Sequence, residues 1–307
     1  MKPILLLGSS GQLGWELQRS LAPLGDVVAL YRNDVLTERG CGDLTDLDGL
    51  RETVRRLRPA AVVNAAAYTA VDKAEQETAL AHTVNGAAPG VLAQAAAEVD
   101  ALMVHFSTDY VFDGSGEAPW TEAATPAPLS VYGHSKLEGE QRVRAVAGGR
   151  HLIFRTSWIY AARGGNFAKT MLRLAQEQDR LTVINDQIGA PTGADLIADV
   201  TAHAIRQAFA HPGADGTYHL AAQGETSWFA YARFVFDTAR ELRPDLALKV
   251  RDVTPIPTTG YPTPARRPLN SRLDTTHLRQ TFGLELPQWQ QGVRRMLAES
   301  LTTTAQP

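Results

Sequence analysis

In the N-terminal half of the chain, short unbroken apolar runs alternate with longer stretches whose apolar positions recur at helical spacing. The runs Ile4-Leu5-Leu6-Leu7, Ala61-Val62-Val63 and Leu102-Met103-Val104 carry no polar alternation, the pattern of strands covered on both faces. The pattern predicts strands over residues 3–8, 26–31, 60–65 and 101–106, with helices over 11–22, 47–57 and 75–98 between them. A helix over 132–146 and a strand over 151–155 continue the alternation. Strand, helix and strand in repetition predict an α/β fold, a Rossmann-like doubly wound parallel sheet.

Beyond residue 160 the pattern loosens into helices over 166–177, 194–209 and 228–242, with strands over 181–184 and 217–220. The expected division is a dinucleotide-binding domain over residues 1–160, to which later segments are free to return, and a smaller mixed α/β substrate-binding part over 161–307. Pro244, Pro255, Pro257, Pro262, Pro264 and Pro268 crowd one segment, which predicts an ordered loop region over 243–271. The last helix is expected over 289–299, with 301–307 as a frayed tail.

The composition, 44% hydrophobic and 21% charged over 307 residues, is that of an ordinary soluble globular protein. Thirty basic against 33 acidic residues leave a net charge of −3, so no nucleic-acid partner is expected. Cys41, the single cysteine, has no companion for a disulfide or a zinc cluster, and a reducing cytoplasm is the expected compartment. The apolar run at residues 4–7 is too short for a signal peptide or a membrane span, so neither a targeting segment nor a membrane partner is expected.

Candidate chemistry begins directly after the first strand, where Gly8-Ser9-Ser10-Gly11-Gln12-Leu13-Gly14 opens a helix. Glycines at such a turn let backbone amides and a helix N-terminus approach a pyrophosphate, which suits dinucleotide binding. The spacing has one residue more than G-x-G-x-x-G, and a plain strand-to-helix turn is the bland alternative. An acidic residue at the end of the second strand would favour NAD. Tyr31-Arg32 stands there instead, and Arg32 leans the expectation toward a 2′-phosphate and NADPH, while NADH stays open. Asp34 is a displaced substitute.

Tyr132-Gly133-His134-Ser135-Lys136 places a phenol and an ammonium four residues apart, on one helix face. A nearby cation stabilises phenolate and brings the tyrosine toward a working range, making Tyr132 a candidate general acid–base with Lys136 as its partner. Thr108 is the first candidate, and Ser107 the second, for a hydroxyl holding the substrate oxygen.

The glycine loop, Asn64-Ala65-Ala66-Ala67-Tyr68-Thr69, Ser107–Phe112, Tyr132–Lys136, Arg155-Thr156-Ser157-Trp158, Gly189-Ala190-Pro191-Thr192-Gly193 and Tyr261–Pro268 together resemble the extended short-chain dehydrogenase/reductases, and within them the branch that reduces dTDP-4-dehydrorhamnose. The resemblance covers nearly the whole chain. It implies Tyr132 and Lys136 as the catalytic pair, with Thr108 assisting proton transfer. It implies a cofactor site built from Gly11, Gln12, Leu13, Asp43, Leu44, Ala67, Tyr68 and Thr69 besides that pair; Gly8 joins it from the loop itself, and Arg32 stands where family members place an acidic residue. Thr108, Asp109 and Trp158 would face a nucleotide-sugar, and Arg266, with Arg267 beside it, is a candidate clamp for its diphosphate. The implied reaction is NAD(P)H-dependent reduction of the C4 ketone of dTDP-4-dehydro-L-rhamnose, supplying rhamnose for polysaccharide synthesis.

The same resemblance implies magnesium at a dimer interface, with Glu16, Asp195 and Glu299 as the matching carboxylates, and leaves a homodimer open. Nothing in the spacing of those three shows a metal site. Two other functions remain: a nucleotide-sugar 4-epimerase on the same scaffold, and a non-catalytic NADP-binding regulatory subunit. A dehydratase is disfavoured because Tyr110 stands where a glutamate would follow Asp109.

Overall fold

The computed structural model describes residues 2–34, 39–211 and 213–303. Strands β1 (Ile4–Leu7), β2 (Val27–Leu30), β3 (Ala61–Asn64), β4 (Leu102–Thr108) and β5 (His151–Thr156) follow one another through the first half. Between them run helices α1 (Gln12–Leu21), α2 (Leu47–Leu57), α3 (Val71–Ala74), α4 (Thr78–His82), α5 (Ala88–Glu98) and α6 (Val131–Arg144). Along β1, Ile4 and Leu6 bury into one core and Leu5 and Leu7 into another. That two-sided burial is why the strand has no polar alternation.

The second half adds β6 (Ile159–Tyr160), β7 (Arg180–Ile184), β8 (Ile188–Gly189), β9 (Thr192–Gly193), β10 (Gly216–His219), β11 (Thr226–Ser227) and β12 (Asp252–Ile256). Its helices are α7 (Phe167–Glu177), α8 (Ala194–Ala210), α9 (Trp228–Leu242), α10 (Thr276–Phe282) and α11 (Trp289–Thr303). The main sheet is six-stranded in the order β10-β5-β4-β3-β1-β2, parallel throughout. Helices α1, α8 and α10 cover one face, and α2 and α5 the other. A separate core joins α7, α9 and α11 through Leu172, Tyr231, Val235, Trp289 and Val293.

Three local expectations need correction. The stretch 75–98 is not one helix: a π-turn, Thr83–Ala87, separates α4 from α5. There the Asn85 side chain turns to the Tyr68 backbone, and Pro89, in the first turn of α5, has no amide to give. The proline-rich segment 243–271 contains β12, which pairs in parallel with β7; Pro255 is tolerated in so short a two-stranded sheet. The terminal helix runs past residue 299 to Thr303, because Leu301 packs into the second core. Residues 304–307 of the expected tail lie outside the described residues.

Among the described residues, no helix is long and apolar enough to cross a membrane.

Candidate active site

A cavity of about 750 Å³ opens at the C-terminal ends of β1–β5, the side of a doubly wound sheet on which ligands bind. Its floor begins at the glycine loop. Gly8 has φ +80°, and a β-carbon there would lie 2.6 Å from the Ala66 amide nitrogen. Only glycine allows β1 to turn this close to the end of β3. Gly11 caps α1 with no side-chain bond, so the first amides of that helix remain available beside the cavity. Gly8, Gly11, Gln12 and Leu13 all line it.

Arg32, Asp43 and Leu44 line the same cavity, as do Ala67, Tyr68 and Thr69. The Asp34 carboxylate is bound to the Tyr31 amide at 2.7 Å. Asn85, which sequence reasoning missed, anchors this wall: its amide spans the Tyr68 backbone at 2.9 and 3.0 Å and the Ser135 hydroxyl at 3.0 Å. The available signal was Asn85-Gly86 inside an otherwise helical stretch.

Helix α6 is seated by its cap. Ser130 accepts from the Gly133 amide, and Glu75 accepts from the Val131 amide. A β-carbon at Gly133 would run into the Tyr110 carbonyl, so glycine lets the helix approach the turn after β4. Tyr132 and Lys136 consequently both reach the cavity, opposite Thr108 and Asp109.

The electrostatics differ from the expectation drawn from spacing. Burial pushes the Tyr132 phenol above its ordinary range; Asp109 adds to the shift, and a hydrogen bond with Thr108 opposes it. Burial also lowers Lys136 to about 8, against the pull of Glu140. Its ammonium donates to the Phe106 carbonyl at 2.6 Å and lies 3.5 Å from His105 Nε2. Tyr132 is therefore protonated in this state rather than drawn toward phenolate by Lys136.

Ser107 is not the free hydroxyl: it is bonded to Glu140. Burial alone would raise the Glu140 carboxyl, yet Arg155, Ser107 and Arg144 hold it below the usual range. Thr108 instead donates to Asp109 Oδ1 at 2.9 Å.

The far wall is aromatic. Trp158 adopts φ +49°, an unusual conformation for so large a side chain. Its ring stacks on Trp228 with centroids 3.5 Å apart and planes 12° from parallel. Trp228, missed in the sequence, lines the cavity too and donates to Gln187 at 3.0 Å.

Two expected assignments are not brought together here. Arg266 is exposed and does not line the cavity; Arg267 does, because Asp72 holds its guanidinium at 2.7 Å. Glu16, Asp195 and Glu299 form no metal cluster: among the described residues, no three potential ligands gather. Glu16 faces Arg19 and Asp195 faces Arg295, so these carboxylates have basic partners, and the residues do not fit a magnesium site within one chain.

The family model described as the RmlD substrate binding domain matches residues 1–302. The chain is 56% identical over 302 residues to the dTDP-4-dehydrorhamnose reductase of Escherichia coli K12, covering 98% of this chain and 99% of that protein. A crystal structure of a Bacillus anthracis dTDP-4-dehydrorhamnose reductase in complex with NADP superimposes with a TM-score of 0.86 at 34% identity, covering 97% and 99% of the two chains. A Clostridium acetobutylicum structure bearing the same enzyme description also gives 0.86, at 35% identity over 99% and 100%. The chain belongs to the RmlD substrate binding domain family, whose model it matches from residue 1 to residue 302.

Proposed function

We propose that the protein reduces the C4 ketone of dTDP-4-dehydro-L-rhamnose to give dTDP-L-rhamnose, with NADPH as its preferred cofactor. The observation that carries this reading is the buried Tyr132, kept protonated and facing the same cavity as Thr108, Lys136 and the glycine loop. The cradle fits a dinucleotide, since a side chain at Gly8 would fill the approach to Ala66. When bound, a dihydronicotinamide supplies the hydride.

The chain's own groups do the rest. Thr108 holds the carbonyl oxygen beside Tyr132, and Tyr132 gives its phenolic proton to the alkoxide. A phenol kept protonated by burial is the correct resting form for a proton donor. Lys136, fixed by the Phe106 carbonyl, carries the positive charge near the phenolate that forms.

Arg32, exposed at the cavity edge, suits a 2′-phosphate, and Asp34 is occupied by the Tyr31 amide. The sugar-nucleotide side joins Trp158 to two residues from beyond 160: the Trp158–Trp228 stack for a planar or apolar face, and Arg267 for a phosphate. Tyr110 packs edge-on to Tyr132, centroids 5.5 Å apart, and offers no carboxylate for dehydration.

The test is oxidation of NADPH that depends on dTDP-4-dehydro-L-rhamnose, run beside Tyr132→Phe. The reading expects sugar-dependent turnover that falls by roughly 10²-fold or more in the variant. Turnover unchanged in Tyr132→Phe would remove the tyrosine from its assigned role.

A further inference from the structure

In the proposed reduction, on which this inference rests, Tyr132 gives up a proton in every turnover and must regain one before the next. Lys136 directs its ammonium into the Phe106 carbonyl and toward His105. Thr108 provides a different path. It faces Tyr132 closely enough to act on the phenol and donates to Asp109 Oδ1 at 2.9 Å. Asp109 is 2% exposed, and its Oδ2 makes no well-formed hydrogen bond. A buried carboxyl oxygen without a partner is costly as an anion and is relieved by carrying a proton.

We propose that Asp109, as the carboxylic acid, restores the Tyr132 proton through the Thr108 hydroxyl. The carboxyl turns about Cβ–Cγ to bring its protonated oxygen to Thr108, and that O–H bond breaks as the proton passes to Thr108 Oγ1. The original hydroxyl proton of Thr108 passes to the Tyr132 phenolate oxygen. No electrons change hands, and Asp109 is left as a carboxylate that takes a proton from water as the open cavity exchanges product. In the resting state Thr108 donates to Asp109; the relay reverses that bond.

The surroundings favour this. Burial lifts Asp109 to about 6, against the opposing effect of the Ser271 and Thr108 side chains and of the Asp109 and Tyr110 amides. The titratable groups facing it are Tyr132 from α6 and Tyr110 from the turn after β4. The nearby charges, Arg267 and Asp72, act on Tyr110 and pair with each other.

The experiment compares first and later turnovers of the full-length protein with NADPH and saturating dTDP-4-dehydro-L-rhamnose. Asp109→Asn keeps the side-chain shape but holds no transferable carboxyl proton. Because Tyr132 starts protonated, the expected single-turnover rate is unchanged while steady-state kcat falls by about 10²-fold, which appears as a burst. The parent's decline in kcat as pH rises above about 6 is expected to vanish in the variant. A slowed first turnover, or a rise in KM with kcat unchanged, would assign Asp109 to structure or binding and overturn the relay.

Should Asp109→Asn fail to fold, the unsubstituted protein serves. A burst is expected at about pH 8, where Asp109 is ionised, and none at about pH 5; a burst equal at both overturns the proposal. Failure of the reductase reading is separately visible, as no sugar-dependent oxidation by the unsubstituted protein.

Discussion

Arg155 grips Glu140 through two hydrogen bonds of 2.9 and 2.7 Å, with neither side chain more than 2% exposed. Glu140 lies one helical turn after Lys136, so this pair fixes the part of α6 that carries the ammonium. Replacing Arg155 by Met leaves the buried carboxylate with only Ser107 and the more exposed Arg144. The expected loss is about 3–5 kcal/mol of stability, measured by urea unfolding. Replacing both partners by apolar residues is expected to recover much of it. Since Glu140 is held below its ordinary value, the pair's contribution is present above the unfolded carboxylate range and is lost as pH falls through the folded value.

Asp109 has the opposite sign. Its folded value, about 6, lies above the ordinary 3.8. The carboxyl therefore penalises the folded state progressively as pH rises from about 4 to about 6. Asp109→Asn is expected to gain up to about 3 kcal/mol at pH 8, and the gain is expected to disappear near pH 3.5. Denaturant midpoints at the two pH values check it.

Gly8→Ala is expected to abolish measurable cofactor binding, because φ +80° and the Ala66 amide both reject a β-carbon. Gly148 has a similar φ, +70°, but nothing within 4 Å of an added β-carbon. Gly148→Ala is expected to cost about 1–2 kcal/mol in stability and to leave cofactor binding intact. Calorimetric titration of the two variants separates close approach from backbone strain.

Arg32→Ala is expected to weaken NADPH binding by roughly tenfold, about 1.4 kcal/mol, with NADH binding unchanged. Fluorescence titration with both nucleotides measures the ratio. Equal losses for the two would remove Arg32 from recognition of the 2′-phosphate.

Arg267→Ala is expected to raise KM for the sugar nucleotide by roughly tenfold, whereas Arg266→Ala leaves it unchanged. Steady-state kinetics at fixed NADPH distinguishes them.

Local pattern made the sheet and most of the cavity legible. Ile4–Leu7 and Ala61–Asn64 read as buried strands because both faces are covered, and Tyr132 and Lys136 fell on one face because a helix repeats every 3.6 residues. What escaped depends on long-range contacts. The strand at Gly216–His219 was legible only as a short β-type piece, and its place beside β5 is set by packing across the chain. Arg266 and Arg267 are adjacent and chemically identical, and only Asp72, 195 residues away, selects the second. Trp228 carried no signal beyond opening a predicted helix, and its stack on Trp158 places it at the cavity wall. Asn85 was hidden in a helical pattern that its own side chain interrupts.

The most direct measurement of the central claim traces deuterium from the C4 of reduced nicotinamide. After incubation of the full-length protein with deuterated NADPH and dTDP-4-dehydro-L-rhamnose, the account predicts dTDP-L-rhamnose with deuterium at sugar C4 and one oxidised cofactor per sugar. Consumed sugar with no deuterium at C4 and the cofactor still reduced, as an epimerase would leave them, would contradict it.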